Sequence, residues 1–131
     1  MNTSPPRVLV ADNQYLIAME VERILQETLH CDVKLTPISG LAVELSVGGY
    51  EVVVIEAALA EPLNVERATL ILAAGSMPVF LSSYDHSPDT GTIVSSYPLV
   101  SKPPQADELA AAVLDALRRR SLHGKGLLDD R

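Results

Sequence analysis

The sequence predicts an α/β fold, a doubly wound parallel sheet of five strands covered by helices on both faces. Two observations carry this expectation: five short aliphatic or β-branched runs are spaced along the chain, and segments of helical periodicity lie between them. Strand alternating with helix implies a parallel sheet, because each parallel connection needs a crossover that a helix supplies. At 131 residues the chain has the length of one domain, and 47% hydrophobic residues suffice to fill one core.

The first strand is expected at Arg7 to Ala11 (RVLVA), a continuous apolar run suited to burial on both faces. Leu16 to Leu29 follows as a helix, with Ile17, Val21, Ile24 and Leu25 on one face. A weaker run, Val33 to Ile38, supplies the second strand, and Leu41 to Val47 a short helix stopped by Gly48 and Gly49. Val52 to Ile55 (VVVI) is the third strand, followed by a helix over Val65 to Ala74 that Gly75 ends. Val79 to Leu81 (VFL) is the fourth strand. Asp85 to Ser96 carries Pro88, Gly91 and scattered Ser and Thr, so any helix there is short or irregular. Leu99 to Ser101 is the fifth strand, and Ala106 to Arg120 the last helix, with an apolar stripe of Leu109, Ala112, Val113, Ala116 and Leu117. Asp107 and Glu108 open that helix and Arg118, Arg119 and Arg120 close it, each sign opposing the local end of the helix dipole. Residues 1 to 6 are expected as a disordered arm, 7 to 120 as the domain, and 121 to 131 as a flexible tail, given its two glycines and mixed charges.

Acidic residues outnumber basic ones by 17 to 10, and the net charge of -7 opposes non-specific attraction to nucleic-acid phosphates or anionic lipid. Neither nucleic acid nor membrane is an expected partner. Met1 to Pro6 lacks the basic start and apolar stretch of a signal peptide, and no apolar run nears the ~20 residues that cross a bilayer, so a cytoplasmic protein is expected. Cys31 is the single cysteine; it can form no internal disulfide and reads as a buried structural thiol. His30, His86 and His123 lie far apart in expected loop or tail positions and read as solvated side chains. No nucleophile and histidine base can be placed together, so hydrolytic catalysis is not expected.

In such sheets, ligands bind beyond the carboxyl ends of the strands, where strand order reverses. Asp12 and Asn13 follow the first strand, Glu56 ends the third, Ser82 follows the fourth and Lys102 the fifth, so separate pieces of chain deliver polar groups to one rim. Each residue alone is more often an ordinary polar cap of a strand; their convergence is the signal. Residues 11 to 15 (ADNQY) contain no glycine, which disfavours a nucleotide- or flavin-binding turn after the first strand.

The segments VLVADN at 8 to 13, VVVIEA at 52 to 57, PVFLSSY at 78 to 84 and LVSKP at 99 to 103 resemble, in order and separation, the receiver domains of bacterial response regulators. The resemblance covers roughly Arg7 to Arg120, and LIAMEVERIL at 16 to 25 looks like the small stand-alone receivers of alphaproteobacteria. It implies the flavodoxin-like receiver fold, with strand order 2-1-3-4-5. It also implies an acidic pair holding magnesium, an aspartate accepting a phosphoryl group, a hydroxyl sensing it, and a lysine contacting it. Carried over by position, Asp12 is the first acid, Ser82 the hydroxyl and Lys102 the lysine, with a cis bond expected from Lys102 to Pro103.

Two positions depart from that pattern. Asn13 stands in place of the second acid, and Glu56 in place of the accepting aspartate. Magnesium prefers a rigid octahedron of hard oxygens at ~2.0 to 2.1 Å, so replacing a carboxylate by an amide weakens any site left to Asp12 and Glu56. The extra methylene of Glu56 moves its carboxylate by more than ~1 Å, a displacement that can cost on the order of 100-fold in rate. The longer side chain can instead reach Lys102 and form a standing ion pair. Receivers often carry an aromatic residue three before the lysine; here that position is Leu99, with Tyr97 and Tyr84 offset from it. The reading is an atypical receiver that acts by protein–protein interaction, independent of aspartyl phosphorylation, with an output face over Asp85 to Arg120. A histidine kinase, a phosphotransfer protein, another signalling protein or a second copy of the chain are the partners the resemblance implies. The alternative is a phospho-accepting regulator that uses Glu56 with Asp12 and magnesium.

Overall fold

The continuous apolar runs become the middle of a sheet. In the computed structural model, which describes residues 4–83 and 92–129 (the last seven by backbone only), β1 (Arg7–Ala11), β3 (Val52–Glu56) and β4 (Met77–Ser82) are flanked by β2 (Asp32–Thr36) and β5 (Leu99–Ser101). All pairs are parallel, in the order β2-β1-β3-β4-β5, as expected. Among the described residues, four helices cover the sheet: α1 (Tyr15–Leu29), α2 (Leu41–Val47), α3 (Glu61–Ala73) and α4 (Ala106–Asp129). None of the described helices is long and apolar enough to cross a membrane.

Alternation along the strands divides the core in two. Val8, Val10, Val52, Val54 and Val79 face α1 and α4, meeting Val21, Ile24 and Leu25 of one and Leu109, Val113 and Ala116 of the other. Leu9, Ala11, Val53, Ile55 and Phe80 face α2 and α3, meeting Leu41, Leu45, Ala68 and Ile71. The helical stripes read from the sequence are therefore the buried faces of α1 and α4. On the edge strand β2 the pattern changes: Val33 and Leu35 pack on the α1 side, while Asp32 and Lys34 are exposed, charges that discourage pairing with another chain. Pro78 in β4 is opposite Val53, before β5 begins pairing at Phe80, so its missing N–H interrupts no ladder on the β5 side.

Element ends shift for physical reasons. β2 stops at Thr36 because Pro37 follows, and Ile38, expected in the strand, opens a 3-10 turn over Ile38–Gly40. α3 starts at Glu61, earlier than the expected Val65, because Pro62 occupies the first turn, where a missing N–H costs nothing. α4 runs past Arg120 to Asp129, into the segment read as a tail. Two glycines weaken a helix by about 1 kcal/mol each without ending it, and the segment contains no proline. The arginines expected to close α4 therefore lie inside it and tie it to its surroundings: Arg119 donates to the Ser96 carbonyl at 2.9 Å and Arg120 to the Gly75 carbonyl at 2.7 Å. Of the irregular Asp85 to Ser96 stretch, residues 84–91, with Tyr84, His86, Pro88 and Gly91, lie outside the described residues; Val94–Ser96 forms a 3-10 turn.

Candidate functional site

Strand register brings the polar residues together. Ala11 pairs with Ile55, so Asp12 leaves β1 beside Glu56, the last residue of β3; Ser82 pairs with Ser101, so Lys102 leaves β5 beside the end of β4. The Lys102 N–H donates to the Ser82 carbonyl at 2.9 Å, which fixes where the lysine side chain departs. The Lys102–Pro103 bond is cis, as expected.

Lys102 is the hub. Its Nζ lies 2.9 Å from Asp12 Oδ2 and 3.4 Å from Glu56 Oε2, and donates to Gln14 Oε1 at 2.5 Å. The lysine side chain is 7% exposed, that of Asp12 0%, and that of Glu56 28%. The expected reach of Glu56 to Lys102 is present, but the shorter contact is with Asp12. That contact is close in distance yet lacks hydrogen-bond alignment, so Asp12 Oδ2 is buried with a charge partner and no hydrogen-bond partner. The other Asp12 oxygen, Oδ1, accepts the Gln14 N–H at 2.7 Å.

Asn13 is spent elsewhere. Its side-chain oxygen accepts the Ile38 N–H at 2.8 Å, joining the β1–α1 turn to the turn after β2. Ser82 is half-buried at the end of β4, with Ser83 exposed beyond it. Leu99 and Tyr97 are both partly buried, and the Tyr97 ring lies 6.4 Å from that of Phe80, tilted by 56°. A cavity of about 290 Å³ opens on the other side of Asp12, between Tyr15 and Ala18 of α1 and Leu35, Thr36 and Pro37. Lys102, Glu56 and Ser82 do not line it.

Three supporting residues were not foreseen. Gln14 is the N-cap of α1 and makes no cap hydrogen bond, which leaves its side chain available to Lys102. Asn64 is buried on the inner face of α3 and closes the loop after Glu56, accepting from the Ala58 N–H at 2.8 Å and donating to its carbonyl at 3.0 Å. Arg67 donates to the Glu56 carbonyl at 2.9 Å. A polar residue in step with the apolar positions Ala68 and Ile71 was the available signal for Asn64.

No protein-family model matches the chain, and no curated protein does. Solved structures do. The signal receiver domain of a modulated diguanylate cyclase from Desulfovibrio desulfuricans G20 superposes with a TM-score of 0.72 at 22% identity, over 92% of this chain and 99% of that one. SdrG from Pseudomonas melonis Fr1, in a BeF3-activated conformation, gives 0.68 at 22% identity over 88% and 99%. A CheY-like response regulator receiver domain protein from Methanospirillum hungatei JF-1 gives 0.69 at 16% identity over 92% and 99%. The chain has the receiver fold.

Within the receiver fold, the magnesium that the resemblance implies is poorly matched by these residues. The orphaned Asp12 Oδ2 is the kind of oxygen a cation takes, but an ammonium already stands beside it. The Asn13 oxygen is committed to Ile38, and Glu56 faces the same ammonium. Among the described residues, no group of three His, Cys, Asp or Glu side chains is placed to hold a metal ion.

Proposed function

We propose that this chain is an atypical receiver, a signalling module of a bacterial two-component-type pathway that works by binding another protein and not by taking up a phosphoryl group. In this reading it is cytoplasmic and has no catalytic turnover of its own. The observation that supports it most is the state of Glu56: its carboxylate lies 3.4 Å from the ammonium of Lys102, in a rim whose second acid is replaced by an amide bonded elsewhere. A carboxylate that must attack phosphorus needs placement within a fraction of an ångström, and the extra methylene removes it. The Glu56–Lys102 pair is a permanent arrangement with one negative charge, against ~1.5 to 2 for a phosphoryl group, so the rim holds a fixed and partial likeness of an activated state.

A partner surface follows from the same reading. The output face is expected over Asp85 to Arg120, of which residues 92 to 120 are described, and its partner is a histidine kinase, a phosphotransfer protein, another signalling protein or a second copy of the chain.

The deciding measurement is intact mass after incubation with a small phosphodonor and magnesium, on the natural chain and on Asn13→Asp/Glu56→Asp. The expected result is no phosphoryl mass on the natural chain and a gain on the double variant. Phosphoryl mass on the natural chain overturns the reading, and mapping the modified residue then tests Glu56 as acceptor. Beryllofluoride supplies a second probe, since one receiver-fold relative takes a BeF3-activated conformation; amide spectra of the natural chain are expected to be unchanged by it.

A further inference from the structure

We infer that the Lys102 ammonium is the resident cation of this rim and that the site excludes divalent metal. The inference rests on the receiver reading and deepens it. Three oxygens from two separate segments converge on Nζ: Asp12 Oδ2 at 2.9 Å, Glu56 Oε2 at 3.4 Å and Gln14 Oε1 at 2.5 Å. One is a wholly buried carboxylate, one a partly buried carboxylate and one a neutral amide, so a single positive charge meets the oxygen set that a free cation would need.

Three further oxygens of the described residues already accept hydrogen bonds. Asp12 Oδ1 accepts the Gln14 N–H, the Asn13 amide oxygen accepts the Ile38 N–H, and the Ser82 carbonyl accepts the Lys102 N–H. A divalent ion would have to expel the ammonium from both carboxylates while the backbone bond at Ser82 keeps the lysine at the rim. Two like charges would then share one small, largely buried space, where their repulsion is screened far less than in water. Magnesium also gives up its own water reluctantly, and among the described residues two carboxylates, Asp12 and Glu56, face the ammonium to reward it. A tethered ammonium also loses water on burial, but it brings no second positive charge to the rim, and its presence there needs no metal. Gln14 completes the arrangement as a positioning residue: it holds Lys102 by its side chain and Asp12 by its backbone N–H.

The test uses the full chain, labelled with ¹⁵N, and Mn²⁺ as a paramagnetic probe. In the natural chain, the amide signals of Asp12, Glu56 and Lys102 are expected to keep their width in Mn²⁺, and the Lys102 Nζ resonance to keep its shift in millimolar Mg²⁺. Lys102→Met removes the ammonium while keeping most of the side-chain bulk, and is expected to gain Mn²⁺ broadening centred on Asp12 and Glu56. Adding Asp12→Asn is expected to abolish that gain, which separates it from diffuse attraction to an acidic protein. Broadening at the rim of the natural chain, or a folded Lys102→Met that gains none, overturns the inference. Should Lys102→Met fail to fold, the Nζ resonance decides: unchanged in Mg²⁺ it supports a resident ammonium, and displaced by Mg²⁺ it refutes one. Failure here is distinguishable from failure of the functional reading. A natural chain that binds Mn²⁺ at the rim yet gains no phosphoryl mass overturns only the resident cation, whereas phosphoryl uptake overturns the reading beneath it.

Discussion

At the scale of single residues, the rim is a problem of unpaired charge. The Asp12 side chain is wholly buried and that of Glu56 partly so, and the Lys102 ammonium is within reach of both. Removing one partner of a buried pair leaves the other charged and desolvated, at a cost of about 3 to 5 kcal/mol. Because Glu56 retains some water, Lys102→Met is expected at the low end, roughly 3 kcal/mol in urea unfolding at neutral pH. Asp12→Asn in the same chain is expected to recover more than about 1 kcal/mol, since groups in one network couple by 0.5 to 3 kcal/mol. Strict additivity of the two changes would show that Asp12 and Lys102 do not interact. The sequence made the Glu56–Lys102 contact legible, because a lengthened acid opposite a lysine has an obvious partner. It left the Asp12 contact and Gln14 hidden, because three-way convergence depends on side-chain directions that spacing along a chain does not encode.

At the scale of elements, the sheet was legible and the ends of helices less so. Short, β-branched apolar runs bounded by polar or turn residues suit central strands, and the stripes of α1 and α4 repeat at helical spacing, so their faces followed directly. Pro62 and the glycines after Ser121 misplaced two ends, because residues that usually break a helix are tolerated in a first turn or when the flanking helix is long. Where glycine is required, the structure is specific. Gly49, after α2, has φ of 91°, and a Cβ there would lie 2.5 Å from Nη1 of Arg7, whose guanidinium stacks on the Tyr50 ring at 4.6 Å. Gly49→Ala is expected to cost about 1 to 2 kcal/mol from backbone conformation alone. Arg7→Ala in the same chain would relieve the contact but not the φ, so a penalty that vanishes in the double variant would assign it to the clash. Asn64→Ala removes both hydrogen bonds to Ala58 and strands two backbone groups, for an expected loss of about 1 to 3 kcal/mol in urea unfolding. A neutral result would mean that water replaces the Asn64 amide without penalty.

At the scale of the whole molecule, Cys31 reports on the fold. It is 6% exposed, packed in the core that α1 and α4 share, and its N–H donates to the Leu25 carbonyl at 3.2 Å. Burial, with the negative charge of Glu51 adding to it, pushes its thiol from an ordinary 9.0 up to about 11. Well below pH 9 the thiol is protonated in folded and unfolded chains alike and contributes nothing to pH dependence. Between 9 and about 11 the unfolded chain releases the proton while the folded chain keeps it, so rising pH favours unfolding. Tyr50, raised chiefly by burial, acts in the same direction, so the comparison must be with Cys31→Ala. The natural chain is expected to lose more stability than that variant across the window, and equal losses would show that the thiol ionises freely in the fold. At pH 8 the same burial makes thiol labelling depend on opening of the core that α1 and α4 close. When opening and closing are fast relative to labelling, the rate follows the population of open molecules, tenfold for about 1.4 kcal/mol. Lys102→Met lies at the opposite end of the sheet from Cys31, yet it is expected to speed labelling by roughly 100-fold if the domain opens as one unit, its ~3 kcal/mol cost being felt throughout. An unchanged rate in a variant destabilised by urea measurement would show that the α1–β2 corner opens independently of the rim, and would separate the stability of the site from that of the fold.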